Sequence, residues 1–370
     1  MLALAAHCPI GLEAVTASEL AGLGLRVERV REDHGVVDWA GSLADVAAAN
    51  LVLRTAERIT LRLEPFRAVH FAELRRKAAN VEWERWIGAD DAVIVRVTSR
   101  RSKLYHERGV AERVVGAIED RLGRTVEVAP ADTLDDPEAR VQLLVIRVQN
   151  DRVTLRLDTS GPRLHRRGYR QATAKAPLRE TLAASILAWS GWRPGHALVD
   201  PFCGSGTIPI EAALWAGGIA PSTRRSFRFE RWPAPVQRPE LVPPDELPTA
   251  PIRGSDREEG AIRAARANAE RAGIAPEFVQ CPVVDCEPPP VDAPGWIVTN
   301  PPYARRTAHG GDPLRPFAEF GDAVRSRFAG WHCTMLCPDE DSARATGLPF
   351  DVGPMVSNGG IRVRILHLAP

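Results

Sequence analysis

The chain has 370 residues and no apolar run approaching the ~18 residues that a membrane-crossing helix needs. Its opening Met-Leu-Ala-Leu-Ala-Ala is apolar but carries no basic leader, and His7-Cys8-Pro9 interrupts it, so it reads as a first strand rather than a signal peptide. Among six cysteines there is no Cys-x-x-Cys pair. Cys333 and Cys337, on one expected strand, would lie roughly 13 Å apart, too far to share a metal. Cys281 and Cys286 would face opposite sides of a regular strand. Structural thiols in a reducing cytoplasm are therefore expected, and the nine scattered histidines form no metal constellation. An excess of one charge is also missing: the formal net charge is +1, so only local clustering bears on nucleic acid. No solenoid repeat and no low-complexity tail is present. What remains is an ordinary globular composition, 44% hydrophobic and 26% charged, long enough for two or three domains.

The most informative stretch is Trp296-Ile297-Val298-Thr299-Asn300-Pro301-Pro302-Tyr303. Two prolines stop an apolar strand and leave a rigid loop at its C-terminal end, where open α/β sheets bind ligands. The Asn300 amide oxygen and the Pro301 carbonyl can both accept from one –NH2 group, and Tyr303 offers a flat face to the ring that carries it. Such a loop suits methyl transfer to a planar, weakly nucleophilic nitrogen. A proline-rich turn after a buried strand is the competing reading.

Taken in order, residues 2–8, 25–29, 35–39 and 58–63 read as strands, with helices over 12–23 and 42–54. This β-α-β-β-α-β order suggests a ferredoxin-like domain over residues 1–65. A second α/β module follows: an amphipathic helix over 71–86, a β-branched strand over 92–98, a helix over 108–122, and strands 141–148 and 152–157 joined by Gln149-Asn150-Asp151. Ser99-Arg100-Arg101-Ser102-Lys103-Leu104-Tyr105-His106 is a basic loop with an aromatic inside it, suited either to solvent or to phosphates. Then comes the densest basic run, Arg152, Arg156, Arg163, Arg166, Arg167, Arg170 and Lys175, interleaved with His165 and Tyr169. Arginines beside rings match phosphate neutralisation and base stacking, so an RNA track is expected there.

From residue 177 the pattern is doubly wound. A helix opens at Pro177-Leu178-Arg179-Glu180, and strands are expected over 196–202, 251–255, 277–281, 295–299 and 331–336, with helices over 207–215, 257–272 and 316–328. The proline-rich segment 222–249 reads as an inserted surface loop, and an Asn358-Gly359 turn as the closing antiparallel hairpin. Asp200-Pro201-Phe202-Cys203-Gly204-Ser205-Gly206-Thr207 is a strand end, a glycine turn and a helix start. Pro209 stands where a nicotinamide fingerprint wants a small residue, and no Gly-Lys-Ser/Thr follows, so a P-loop is excluded. Asp200 can hold a cationic amino group and Asp256 ribose hydroxyls; together they fit S-adenosylmethionine.

These residues resemble those of the THUMP-domain RNA guanine-N2 methyltransferases. The resemblance runs through Gly11-Leu12-Glu13, the 102–106 loop, residues 164–170, Ala176-Pro177-Leu178-Arg179-Glu180, Asp200 to Thr207, Gly254-Ser255-Asp256, Thr299 to Tyr303 and Asn358-Gly359. It implies an α/β protein with a Rossmann-like class I methyltransferase domain over 177–370, behind a ferredoxin-like domain (1–65), a THUMP module (66–158) and a basic linker (159–176). It further implies S-adenosylmethionine as donor, a guanosine amine of 23S rRNA or tRNA as acceptor, and no metal. The donor would be held by Leu178, Asp200, Pro201, Phe202, Cys203, Gly204, Ser205, Gly206, Thr207, Asp256 and Arg257. Asn300, Pro301, Pro302 and Tyr303 would be catalytic. Arg100, Arg101, Lys103, Tyr105, Arg163, Arg166, Arg167, Tyr169 and Arg170 would contact RNA. The chain departs from the pattern in two places: Ala304-Arg305-Arg306 replaces the usual Gly-Glu-Arg, and Pro282 stands where an acid meets the adenine amine, with Asp285 the nearest substitute. Rival readings are a methyltransferase for protein glutamine or DNA adenine, and a catalytically silent RNA-binding or assembly factor of the same fold.

Overall fold

The computed structural model describes residues 1–171, 178–241, 249–303 and 312–370. Lys175, Pro177, the prolines at 243, 244 and 248, and Ala304-Arg305-Arg306 lie outside the described residues.

The N-terminal part runs β1 (Leu2–His7), α1 (Glu13–Gly22), β2 (Arg26–Arg31), β3 (Val36–Gly41), α2 (Leu43–Val52) and β4 (Arg58–Arg62). A capping box starts α2: Ser42 Oγ accepts from the Asp45 amide and Asp45 Oδ2 from the Ser42 amide. Next come β5 (Phe66–Arg67), α3 (Phe71–Ala78), β6 (Ala92–Arg100), α4 (Glu107–Leu122), β7 (Val141–Gln149) and β8 (Arg152–Asp158). The helix expected over 71–86 stops at Ala78, where the Trp83 indole donates to the Ala78 carbonyl at 2.9 Å; Trp83–Arg85 is a separate 3-10 turn. Asn150 and Asp151, both at positive φ, close the β7–β8 hairpin, the left-handed geometry that short polar residues tolerate.

The two modules share one eight-stranded sheet, in the order β2-β3-β1-β4-β8-β7-β6 with β5 on β8. Leu61 pairs with Leu157 across the seam between them. Strand alternation sends Leu4, Ala6, Trp39, Ile59, Leu155 and Ile146 into a single core.

The C-terminal part runs α5 (Glu180–Trp189), β9 (Leu198–Asp200), α6 (Thr207–Ala216), β10 (Ile252–Asp256), α7 (Glu259–Ala272), β11 (Glu277–Gln280), β12 (Trp296–Thr299), α8 (Arg315–Arg327), β13 (His332–Cys337), α9 (Glu340–Ala345), β14 (Asp351–Asn358) and β15 (Ile361–Leu368). Its seven strands order as β11-β10-β9-β12-β13-β15-β14, parallel through β13 and antiparallel over the closing hairpin. The strand order reverses between β9 and β12, which opens a crevice at their C-terminal ends.

The insert expected to be a surface loop is, over its first part, a strap. Phe227, Phe229 and Trp232 are buried in the N-terminal core, and Trp232 meets Trp86 edge-on at 4.9 Å. Its indole donates to Gln142 at 3.2 Å. Aromatic side chains this large are stabilised by burial wherever the chain can deliver them, so local proline content does not dictate exposure.

Candidate active site

A cavity of about 400 Å³ lies over the C-terminal ends of β9, β10 and β12. Its floor is the β9–α6 turn. Gly204 has φ +52 and lines the cavity, and a Cβ there would meet no protein atom within 4 Å. Gly206 does not line it. It is buried with φ +86, and a Cβ would come 2.9 Å from Ala265 and Phe278, so this glycine serves the packing of α6 on α7. Pro209 sits in the first turn of α6, where its missing N–H is one that has no intrahelical acceptor.

Asp200 ends β9 with 1% of its surface exposed. Burial pushes its carboxyl up to about 7, against the hydrogen bonds from Thr299 Oγ1 (2.6 Å) and the Phe202 amide (3.2 Å). Thr299 ends β12, so this bond ties the donor side of the cavity to the acceptor side. Asp256 ends β10; its two oxygens accept from the amides of Gly204 and Glu258, both at 3.0 Å, and each keeps a second lone pair. Burial raises its carboxyl as well.

On the acceptor side, Asn300 Oδ1 receives the Tyr303 hydroxyl at 2.5 Å and Asn358 Nδ2 at 3.3 Å. Asn358 also donates to the Tyr303 oxygen at 3.3 Å. Burial pushes the Tyr303 phenol up, so it stays a neutral donor. The three side chains form a closed triangle that turns the Asn300 oxygen into a fixed acceptor. Cys203 is buried, and burial raises its thiol well above the ordinary range, which disfavours the thiolate that a nucleophile needs.

The cavity brings together Leu178, Asp200 to Ser205, Thr207, Asp256, Arg257 and Asn300 to Tyr303. It also contains residues to which the sequence reading gave no role: Glu258, Glu319 and Asn358. Glu258, two residues beyond Asp256, carried a local signal; Asn358, at the end of β14, was marked only as part of the closing turn and the resemblance, and Glu319 on α8 carried no signal. Asp285 is not part of it. That residue is exposed at the end of a 3-10 turn, and the wall at this point is Pro282 and Val283. The turn over 283–285 aims Val283 inward and leaves Asp285 in solvent.

Three members of the expected RNA track are also displaced. Arg167 is buried, pairs with Glu211 at 3.5 Å and donates to the carbonyls of Leu164 and Arg54. The buried Tyr169 hydroxyl donates to Glu211 at 3.1 Å. Arg170 donates to Leu178 O and Thr207 Oγ1 and pairs with Glu180. These groups join the two parts of the chain, because a buried charge is tolerated only beside its counter-charge. Arg163 and Arg166 are exposed and pair with Glu57 and Asp135. Arg100, Arg101, Lys103 and Tyr105 form an exposed edge beside α4, with Tyr105 78% accessible.

Family models for an RlmL ferredoxin-like domain, a THUMP domain and an RMKL-like methyltransferase domain match residues 3–60, 68–158 and 167–349. The chain is 30% identical to slr0064 of Synechocystis, an RNA methyltransferase by name, over 96% of this chain and 94% of that one. The chain belongs to the THUMP-domain, RMKL-like methyltransferase family. Within it, "Ribosomal RNA large subunit methyltransferase K/L" of Syntrophotalea carbinolica is 34% identical over 98% of this chain, and the chain spans 53% of that relative's length. The crystal structure of SMU.472, a methyltransferase by designation, complexed with SAH, superposes with a TM-score of 0.81 at 27% identity and covers 100% of this chain and 98% of its own.

S-adenosylmethionine is the cofactor of this family, and the cavity fits it. Gly204 leaves backbone open to a ligand, Asp200 offers a buried acid to an ammonium group, and Asp256 and Glu258 offer carboxylates to ribose hydroxyls. Pro282 and Val283 give the adenine ring apolar surface but no side-chain acceptor for its amine.

A pH dependence follows from Asp200. Its carboxyl is raised to about 7, so below that pH the ligand-free protein favours the neutral acid, and stability from this group falls as pH rises from the ordinary range toward 7. An ammonium ligand favours the carboxylate, so cofactor affinity is expected to rise as pH is taken from 6 to 8 and then level. Calorimetry across this range on the wild type and Asp200→Asn checks it; an identical slope in both would remove Asp200 from the donor site.

Proposed function

We propose that the chain transfers the methyl group of S-adenosylmethionine to the exocyclic N2 amine of a guanosine in 23S rRNA. The observation that carries this reading is the Asn300 oxygen held by Tyr303 and Asn358 at the edge of the donor cavity. The cofactor supplies a methyl already activated on a sulfonium. A guanine amine, in contrast, is conjugated with its ring and a poor nucleophile. Asn300 Oδ1 and the Pro301 carbonyl would accept hydrogen bonds from its two N–H groups and localise the nitrogen lone pair toward the donor cavity. The new N–C bond would replace the methyl–sulfur bond, leaving a neutral thioether, and the surplus proton of the methylated amine would pass to water. The substrate amine replaces the Tyr303 hydroxyl on Asn300, which frees the phenol ring to lie against the base, a stacking worth ~1–3 kcal/mol. Pro302 stiffens the loop. A target paired within a helix has to leave its stack to reach this site.

RNA is the partner this reading requires. A THUMP module lies ahead of the catalytic sheet, and Arg100, Arg101, Lys103 and the open ring of Tyr105 supply charge and a stacking face on its surface. The names of the K/L relatives point to the large-subunit RNA, although those proteins are about twice as long. The division into residues 1–65, 66–158, 159–176 and 177–370 belongs to the same reading.

Nucleoside mass spectrometry of 23S rRNA and tRNA from a deletion strain tests it. The expected result is one N2-methylguanosine missing from 23S rRNA, restored by the wild-type gene and not by Asn300→Ala. A loss from tRNA instead would transfer the reading to the tRNA acceptor. The silent-factor reading draws on Pro282, and calorimetry showing RNA binding without any S-adenosylmethionine binding would favour it.

A further inference from the structure

The shared sheet has two faces of unlike character, apart from a small apolar cluster around Ile94 and Leu143 at the β6–β7 end of the second. One packs on the helices through aliphatic and aromatic side chains. On the other, alternate positions of β2, β4, β7 and β8 carry arginines: Arg62 stands directly opposite Arg156, Arg147 opposite Thr154, Arg152 opposite Gln149, and Arg29 opposite Asp38. A concavity of about 720 Å³ opens on this face. Arg29, Arg31, Arg62, Arg147, Arg152 and Arg156 line it, against a single lining acid, Glu64. Asp38 neutralises part of this charge, reaching Arg31 at 2.5 Å and Arg62 at 3.8 Å. Among the described residues, Arg29, Arg147, Arg152 and Arg156 have no ion-pair partner. Burial lowers the Arg156 guanidinium from its ordinary range, with Asp38 opposing and Arg31, Arg62 and Arg147 adding to the fall, and Arg156 Nε is buried without an acceptor. Like charges crowded in this way are stabilised by an anion.

We infer that this arginine face is a docking surface for the phosphate backbone of duplex RNA. The inference rests on the RNA-methyltransferase reading above and adds a surface to it. Arg31 on β2 and Arg147 on β7 stand five strand spacings apart, about 24 Å, a span that covers several consecutive phosphates of a duplex. The concavity has no aromatic lining residue. A surface that reads unstacked bases needs aromatic platforms; one that grips a duplex needs only charge. Arg96 and Arg100 continue the same face onto β6, opposite Val145 and Gln149, and link it to the Arg100–Tyr105 edge.

The test uses the full chain, a hairpin duplex from 23S rRNA, and titrations at several salt concentrations. Arg29, Arg147 and Arg152 are exposed and can be changed without opening the core. The triple substitution R29A/R147A/R152A is expected to weaken duplex binding on the order of a hundredfold at 0.15 M salt and to reduce the slope of log K against log[salt] by about 3. S-adenosylmethionine affinity and thermal midpoint stay unchanged, and R29K/R147K/R152K retains the wild-type slope. An unchanged slope in the alanine variant, with wild-type binding intact, overturns the inference and leaves the proposed function standing. Equal competition by polyglutamate of matched charge would assign the face to an acidic protein and overturn it as well. If the wild type binds neither duplex nor single-stranded RNA, the proposed function itself fails.

Discussion

Asn300→Ala is expected to reduce methyl transfer by at least 10²–10³-fold while leaving S-adenosylmethionine affinity within about twofold. The carboxamide oxygen is the one side-chain acceptor that the Tyr303 and Asn358 donors converge on, and it lies at the edge of the donor cavity rather than in the glycine turn. Its loss removes an interaction that strengthens as the amine becomes pyramidal, so the fall belongs in kcat more than in KM. Asn300→Asp separates geometry from charge: it keeps an acceptor at the same place but adds a negative charge, and activity should fall less than in the alanine variant. Asn358→Ala leaves the acceptor present but unfixed and should cost less again. Single-turnover assays with saturating cofactor, beside calorimetry for the cofactor alone, separate the two quantities. A parallel loss of cofactor binding in Asn300→Ala would place that side chain in the donor site instead.

Arg167→Ala is expected to destabilise the protein by about 3–5 kcal/mol, the cost of leaving the partner of a buried ion pair uncompensated. Arg167 and Glu211 have side chains 1% and 0% exposed, and Glu211 also accepts from Tyr169. Arg54, which donates to the Ile219 carbonyl at 2.7 Å, is lowered to about 10 by burial with Glu211 opposing, so this junction holds several charges away from water. Adding Glu211→Gln to Arg167→Ala removes the stranded charge but keeps an acceptor for Tyr169, and part of the loss should return. Arg163→Ala is the control. Its side chain is 47% exposed and its pair with Glu57 lies at the surface, so it should cost no more than about 1 kcal/mol. Scanning calorimetry orders the four proteins. A midpoint for Arg167→Ala within a degree of wild type, with RNA affinity lost, would return this residue to the RNA track.

The residues of 164–170 show where reading along the chain stops being informative. Seven basic positions between Arg152 and Lys175 look alike in sequence, yet Arg152 and Arg156 face the open sheet, Arg163 and Arg166 lie in solvent, and Arg167 and Arg170 are built into the junction. Charge density says that such side chains need partners but not which ones. The same limit explains the strap. Phe227, Phe229 and Trp232 stand in a proline-rich segment with no sustained helical or strand period, so nothing local indicated that they fill a core made by strands and helices much earlier in the chain.

What the sequence determined by itself was everything set within a few residues of chain: the strand stopped by Asn300-Pro301-Pro302, the left-handed glycine turn at Gly204 and Gly206, and the acids at the ends of β9 and β10. Backbone sterics and local hydrogen bonding decide those features, and they read the same in any fold. Only the tertiary structure decided which side chains from separate elements meet. It brought Asn358 onto Asn300, put Val283 rather than Asp285 against the donor cavity, and gathered arginines from β2, β4, β7 and β8 on one face. Strand order and register set those encounters, and both depend on how distant segments bury their apolar sides against each other.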